Sequence, residues 1–281
     1  MTAVAPSTGA LLTHWTLEPS VLLGTVAVTG AYFYAIGPLR RKYNLGPPPT
    51  RAQVYTFVAS AVLLLVALVS PLDDIGDEYL FSAHMVQHLI LATLWPPLVL
   101  LAMPPWMAQA IFRQPGAAVL RFFTHPAAAL LFFNLDIYLW HVPALYDLTL
   151  HNEYAHIAEH LSFMLFGLFT WWPVLSPVAS ERLSAPLQTL YLFGDAMFMM
   201  VLGIVFTFIP TVLYAPYADA PRLWGISAVT DQQIGGLIMW YPGNLPYATW
   251  LVIAFYRWFD AGGPENQRIP QQSPTIGPPA G

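Results

Sequence analysis

Apolar residues in this chain come in runs of about 20, the length at which a helix crosses a bilayer. Seven such runs lie near 19–37, 53–70, 80–102, 126–143, 154–175, 186–209 and 233–256. None alternates apolar with polar positions as the strand of a membrane barrel would, so each predicts a helix. The expected fold is all-α, a polytopic membrane protein built as one bundle of seven transmembrane helices over residues 19–258. Residues 1–18 precede the bundle as an extracytoplasmic segment. Residues 259–281 follow it as a Pro-, Gly- and Gln-rich tail whose composition predicts disorder.

Composition excludes the water-soluble alternatives. Of 281 residues, 57% are apolar and 9% charged, against about 25% charged in a soluble domain. Ten Trp within a 15% aromatic content suit side chains anchored at two membrane interfaces. The absence of cysteine removes disulfides and thiolate ligands, leaving imidazole, carboxylate, thioether and water for any metal. Nothing along the chain reads as nucleic-acid binding, and the first residues (MTAVAPSTGALLTHW) lack the basic start of a signal peptide.

The basic residues orient the runs. Arg40, Arg41, Lys42, Arg51, Arg113, Arg121, Arg182, Arg257 and Arg268 fall on one side, and only Arg222 falls on the other. By the positive-inside rule the first side is cytoplasmic, which puts the N-terminus outside and the C-terminus inside. The outer loops are acidic, with Asp73, Asp74, Asp77, Glu78, Asp147, Glu153 and Asp219. Such a face attracts cations through its field.

Polar groups inside the apolar runs carry the chemistry. His84 and His88 are four residues apart, and so are His156 and His160, 72 positions later. That spacing places both members of a pair on one helix face. With His141 at the outer end of the fourth run, these imidazoles share one depth in the outer leaflet. Unpartnered imidazole is costly there, so the pattern predicts a shared metal site between runs three, four and five. Glu159 and Gln87 accompany the pairs, and Glu159 is placed to orient a ligand histidine. Asp136 and Asp195 sit mid-run and should face the bundle interior. Asp231 reads as the N-cap of the seventh helix, and either it or Gln232 is expected to reach the outer polar site. Met197, Met199 and Met200 on the sixth run offer soft thioethers, or simply fill the core.

The stretch His156-Ile157-Ala158-Glu159-His160 also matches the inverted zinc-protease pattern H-x-x-E-H. It lies in a membrane run with no identifiable third ligand, so the reading is non-catalytic.

Three stretches together resemble a known family: SPLDDIGDEYLFSAHMVQHLIL (70–91), WHVPALYDLTLHNEYAHIAEHLSFML (140–165) with WWP (171–173), and DQQIGGLIMW (231–240). They look like the seven-helix CtaG proteins of bacterial cytochrome c oxidase assembly, with features shared by the membrane part of CopD-type copper proteins. The resemblance implies a copper-delivery role toward cytochrome c oxidase subunits in the bacterial cytoplasmic membrane, with His84, His88, His156 and His160 in the family's histidine segments. Two alternatives remain on the residues alone. One is a haem-binding carrier or electron-transfer protein with axial histidines. The other is a copper transporter using Asp136 and Asp195.

Overall fold

The computed structural model describes residues 6–260, and these fold entirely into helices and connecting turns, with no strand among them. The expected tail lies largely outside the described residues. The helices are α1 (Thr8–Thr13), α2 (Pro19–Tyr43), α3 (Arg51–Val69), α4 (Pro71–Glu78), α5 (Phe81–Ala102), α6 (Pro105–Ile111) and α7 (Ala117–Phe123). They continue with α8 (Pro126–Trp140), α9 (Pro143–His151), α10 (Glu153–Leu175), α11 (Ala185–Phe208), α12 (Ala215–Asp219), α13 (Ala228–Trp240) and α14 (Leu245–Asp260).

Four of these, α2, α3, α5 and α11, are long and apolar enough to cross a membrane. The count is five if α7 and α8, bent by 74° at their junction, form one span. The bend falls at Thr124 and His125, where Pro126 disfavours helical geometry in the residue before it. Helix α10 has 23 residues but carries His156, Glu159 and His160, which lower its hydropathy. The protein is a multi-pass membrane protein. Its outer helices show this in their exposure: only 17% of the apolar window of α2 and 22% of that of α3 is buried. Leu23, Val26 and Tyr55 point outward, as lipid-facing side chains do.

The seventh predicted helix is corrected. The run 233–256 is not continuous but divides into α13 and α14 around a tight turn at Pro242–Asn244. Pro242 has no N–H to give the carbonyl four residues earlier, so the helical ladder stops there.

Helix α5 is also irregular, with a wider π-type stretch at Ile90–Leu94. Pro96 and Pro97 follow directly and cannot donate to the carbonyls of Ala92 and Thr93. Gly167 of α10 lies against the Ala92 carbonyl; a Cβ there would come within 2.7 Å of that oxygen. The glycine therefore lets α10 approach α5 closely just inward of the histidines. A similar small-residue contact joins α11 to α13, where a Cβ on Gly203 would meet the Gly236 carbonyl at 2.8 Å and one on Gly236 would meet Thr207 N at 2.5 Å.

Helix α5 has no capping side chain of its own. Asp231 of α13 supplies one from across the bundle. Its carboxylate accepts from Phe81 N at 2.7 Å, Ser82 N at 3.1 Å and Ser82 Oγ at 2.5 Å. Asp231 was expected to cap its own helix; Ser227 does that instead, accepting from Thr230 N. The acidic group thus meets the positive end of α5 and holds in place the helix that bears His84 and His88.

At the N-terminal side, α1 packs Leu11 with Ile75, Leu80 and Leu223, and His14 pairs with Asp74.

Candidate metal centre

Helices α5 and α10 lie side by side, and each presents its histidine pair to the other. Within each pair the ring centroids are 4.1 Å apart. Across the interface, His84 faces His156 and His88 faces His160, each at 5.4 Å. One donor atom from each of His84, His88, Glu159 and His160 lies within 4.8 Å of the others. The His84 and His88 Nε2 atoms are 2.5 Å apart, and His88 Nε2 is 3.7 Å from Glu159 Oε2. All four residues are buried, His84 and Glu159 completely.

The set is short of hydrogen bonds. Both Glu159 oxygens, His160 Nε2 and His88 Nδ1 are buried without a partner. Buried polar atoms are nearly always bonded, and each exception asks for a reason. Three imidazoles and a carboxylate converging on one point form a donor set that suits a first-row transition metal.

A second group adjoins the first through His84. Asp77, His84 and His156 also bring donor atoms within 4.8 Å of one another. Asp77 Oδ1 is 3.3 Å from His84 Nδ1, and Asp77 Oδ2 is 3.4 Å from His156 Nδ1. Tyr217 OH lies 3.1 Å from His84 Nδ1 and donates to the Gly76 carbonyl. His84 therefore has its Nδ1 held by Asp77 and Tyr217 and its Nε2 turned into the four-donor set. Partners behind a ligand histidine fix ring orientation in this way. Asp77 is half-buried, and its surroundings compete: burial pushes the carboxyl up, but the contact with His84 and the charges of His84 and His156 outweigh it and hold it below the ordinary value.

The remaining sequence-predicted residues separate. Glu159, expected behind a ligand histidine, stands among the donors. His141 lies beside the set, its ring 6.1 Å from that of His88. Its Nδ1 donates to the Ile137 carbonyl at 2.7 Å and its Nε2 faces Met85 Sδ at 3.5 Å. Gln87 turns away, donating to the Ala67 carbonyl and to Asp73. Gln232 does not reach the outer site; it ties the loop after α11 by accepting from Leu213 N and donating to the Thr211 carbonyl. Asp136 is buried at the α8–α10 contact and accepts from Trp140 Nε1. Asp195 is buried elsewhere, accepting from Asn134 at 2.7 Å and Thr170 at 3.1 Å.

Sequence reasoning treated Asp77 as one of several loop acids and did not consider Tyr217. Asp77 precedes His84 by seven residues, and Gly76 allows α4 to fold back against the His84 backbone, where a Cβ would meet it at 3.0 Å. That glycine beside the acid was the available signal. Tyr217 carried none, as one of 14 tyrosines.

Asp73 gives α4 a pH dependence. Burial first, then the neighbouring Asp77 charge, raises its carboxyl from 3.8 to about 7, against the lowering effect of its bond to Gln87. The folded state thus keeps a proton that the unfolded chain releases. Stability from this group is full below about pH 4 and is lost as pH rises through about 7. Asp73→Asn is expected to flatten the decline in melting temperature between about pH 4 and 7, read by thermal melting in detergent.

Comparison with known families decides the kinship. The model of the cytochrome c oxidase caa3 assembly factor family (Caa3_CtaG) matches residues 30–261. This chain belongs to that family. The match runs from α2 through α14 and includes every residue of the four-donor set. Among individual proteins, an uncharacterized protein of Mycobacterium bovis and one of Mycobacterium tuberculosis are each 25% identical over 273 residues. An uncharacterized protein of Mycobacterium leprae is 24% identical over the same length. In each case 90% of this chain is covered, but the chain spans only 40% of the relative's length. No solved structure matches. The family is described by its part in cytochrome c oxidase assembly.

Proposed function

We propose that this protein takes up a copper ion at the set formed by His84, His88, Glu159 and His160 and aids its delivery to the haem–copper oxidase. His156 and Asp77 form the outward entry, and His141 stands on the inner side. The observation that carries this reading is a convergence of three imidazoles and a carboxylate within 4.8 Å, buried and short of hydrogen bonds. The family supplies the process, and a cysteine-free chain leaves imidazole, carboxylate and thioether as its side-chain donors. Copper here is cargo, and no covalent chemistry is required of the protein.

The reading includes seven spans in the bacterial cytoplasmic membrane. To α2, α3, α5 and α11 it adds α7–α8, α10 and the broken pair α13–α14. The charge asymmetry supports an external N-terminus and an internal C-terminus, which puts the acidic α4 and the histidines toward the outer face. The haem alternative would draw its axial imidazoles from the two facing helices; the carboxylate of Glu159 among the converging donors favours an ion over a macrocycle there. The transporter alternative is less well supported, since both Asp195 oxygens and Asp136 Oδ1 are engaged with neighbouring side chains, leaving only Asp136 Oδ2 without a partner.

The test is complementation in a host lacking its own copy of the protein. At limiting copper, a His84/His88/His156/His160 to alanine variant, present in the membrane at wild-type level, should leave the purified oxidase short of copper. Oxidase loaded equally by variant and wild type would remove the reading.

A further inference from the structure

On the inner side of His88 the chain builds a second, chemically different place. A cavity of about 10 Å³, room for one ion or one water, is lined by Met85, Met199 and Met239 together with His88 and His141. The three methionines come from three helices, α5, α11 and α13, and all are buried. Met85 Sδ is 3.5 Å from His141 Nε2. The Ile137 carbonyl engages the other ring nitrogen of His141, which leaves Nε2 as the acceptor beside the Met85 thioether. Gly235 of α13 makes room for this side of α5: a Cβ there would come within 2.4 Å of the Phe81 ring and 3.3 Å of Met85 Cγ.

We propose that this cavity is a separate site for a soft monovalent d10 cation of the Cu(I) or Ag(I) class. Thioether sulfur binds such ions and binds harder divalent ions poorly. Three thioethers and one imidazole, without a carboxylate, select a low charge. The neighbouring set has the opposite character, with Glu159 among three imidazoles. His88 borders both places, so an ion leaving one reaches the other past a single ring. Each site thus prefers a different ion. The methionine site requires nothing of the carboxylate set and stands whether or not that set binds copper.

The test uses purified full-length protein in detergent, with Ag(I) as probe and X-ray absorption as readout. Wild type should show sulfur scatterers around silver. Met85→Leu/Met199→Leu/Met239→Leu, a nearly volume-conserving change, should lose them. Its Ag(I) affinity should fall at least about 10-fold, the scale lost even on removing outer partners of a metal. Binding of Co(II) at the carboxylate set should persist in the same variant. A Glu159→Ala/His160→Ala variant should keep the sulfur scatterers, which separates failure of this site from failure of the first. Silver held only by nitrogen and oxygen in wild type would overturn the proposal, as would equal silver binding by the triple variant. If the triple variant does not fold, the wild-type scatterers alone decide in the same two directions.

Discussion

Replacing His88 and His160 together with alanine should lower copper affinity by more than about 100-fold. Removing a mere supporting partner of a metal ligand costs about 10- to 100-fold, and this variant deletes two of the four converging donors. Both rings are buried, and neither His160 Nε2 nor His88 Nδ1 has a hydrogen-bond partner. The control is His151→Ala, which removes an exposed imidazole bonded to the Asp147 carbonyl and should leave affinity unchanged. Competitive titration of the purified protein against a copper chelator measures both. Equal affinities for the double variant and the control would show that the two facing rings do not hold the ion.

Glu159→Leu should act in opposite directions on stability and on binding. The Glu159 side chain is fully buried, and neither oxygen makes a hydrogen bond of ordinary geometry, the Thr149 hydroxyl being the nearest donor and itself bonded to the Tyr146 carbonyl. Leaving a buried polar group unsatisfied costs about 1–3 kcal/mol, and replacing it with an apolar group of similar size recovers much of that. For a protein of this size each kcal/mol moves the melting temperature by roughly 2–4 °C. The metal-free variant should therefore melt several degrees above wild type. Added copper should raise the melting temperature of wild type and leave that of the variant nearly unmoved. A binding site kept at the expense of stability behaves in this way. A metal-free variant that melts below wild type would mean that the carboxylate serves the fold rather than a ligand.

The histidine pairs show how far local pattern reaches. Spacing of four on an apolar run placed His84 with His88 and His156 with His160, because helical periodicity alone sets which side chains share a face. Which faces then meet is a matter of packing. Here it depends on Gly167 lying against the Ala92 carbonyl that Pro96 leaves without a donor. Glu159 was legible as a partner of the pairs but not as one of the donors, since a shift of one helix position separates the two roles. Asp231 was read as a cap, and it is one, but for α5 rather than for its own helix. A carboxylate near two helix starts satisfies whichever free N–H groups the bundle brings to it.

The chain's linear order was enough to establish that it is helical and membrane-embedded, that it lacks thiol chemistry, and that its imidazoles come in facing-ready pairs. These follow from run length, composition and the 3.6-residue repeat, which are properties of neighbouring residues. Tertiary structure alone decided the break at Pro242–Asn244, the recruitment of Asp77 and Tyr217 behind His84, and the meeting of Met85, Met199 and Met239 from three helices. Those depend on approach distances between helices far apart in sequence. Such distances are set by single glycines and by carbonyls that proline leaves free, whose effect appears only when the second helix is in place.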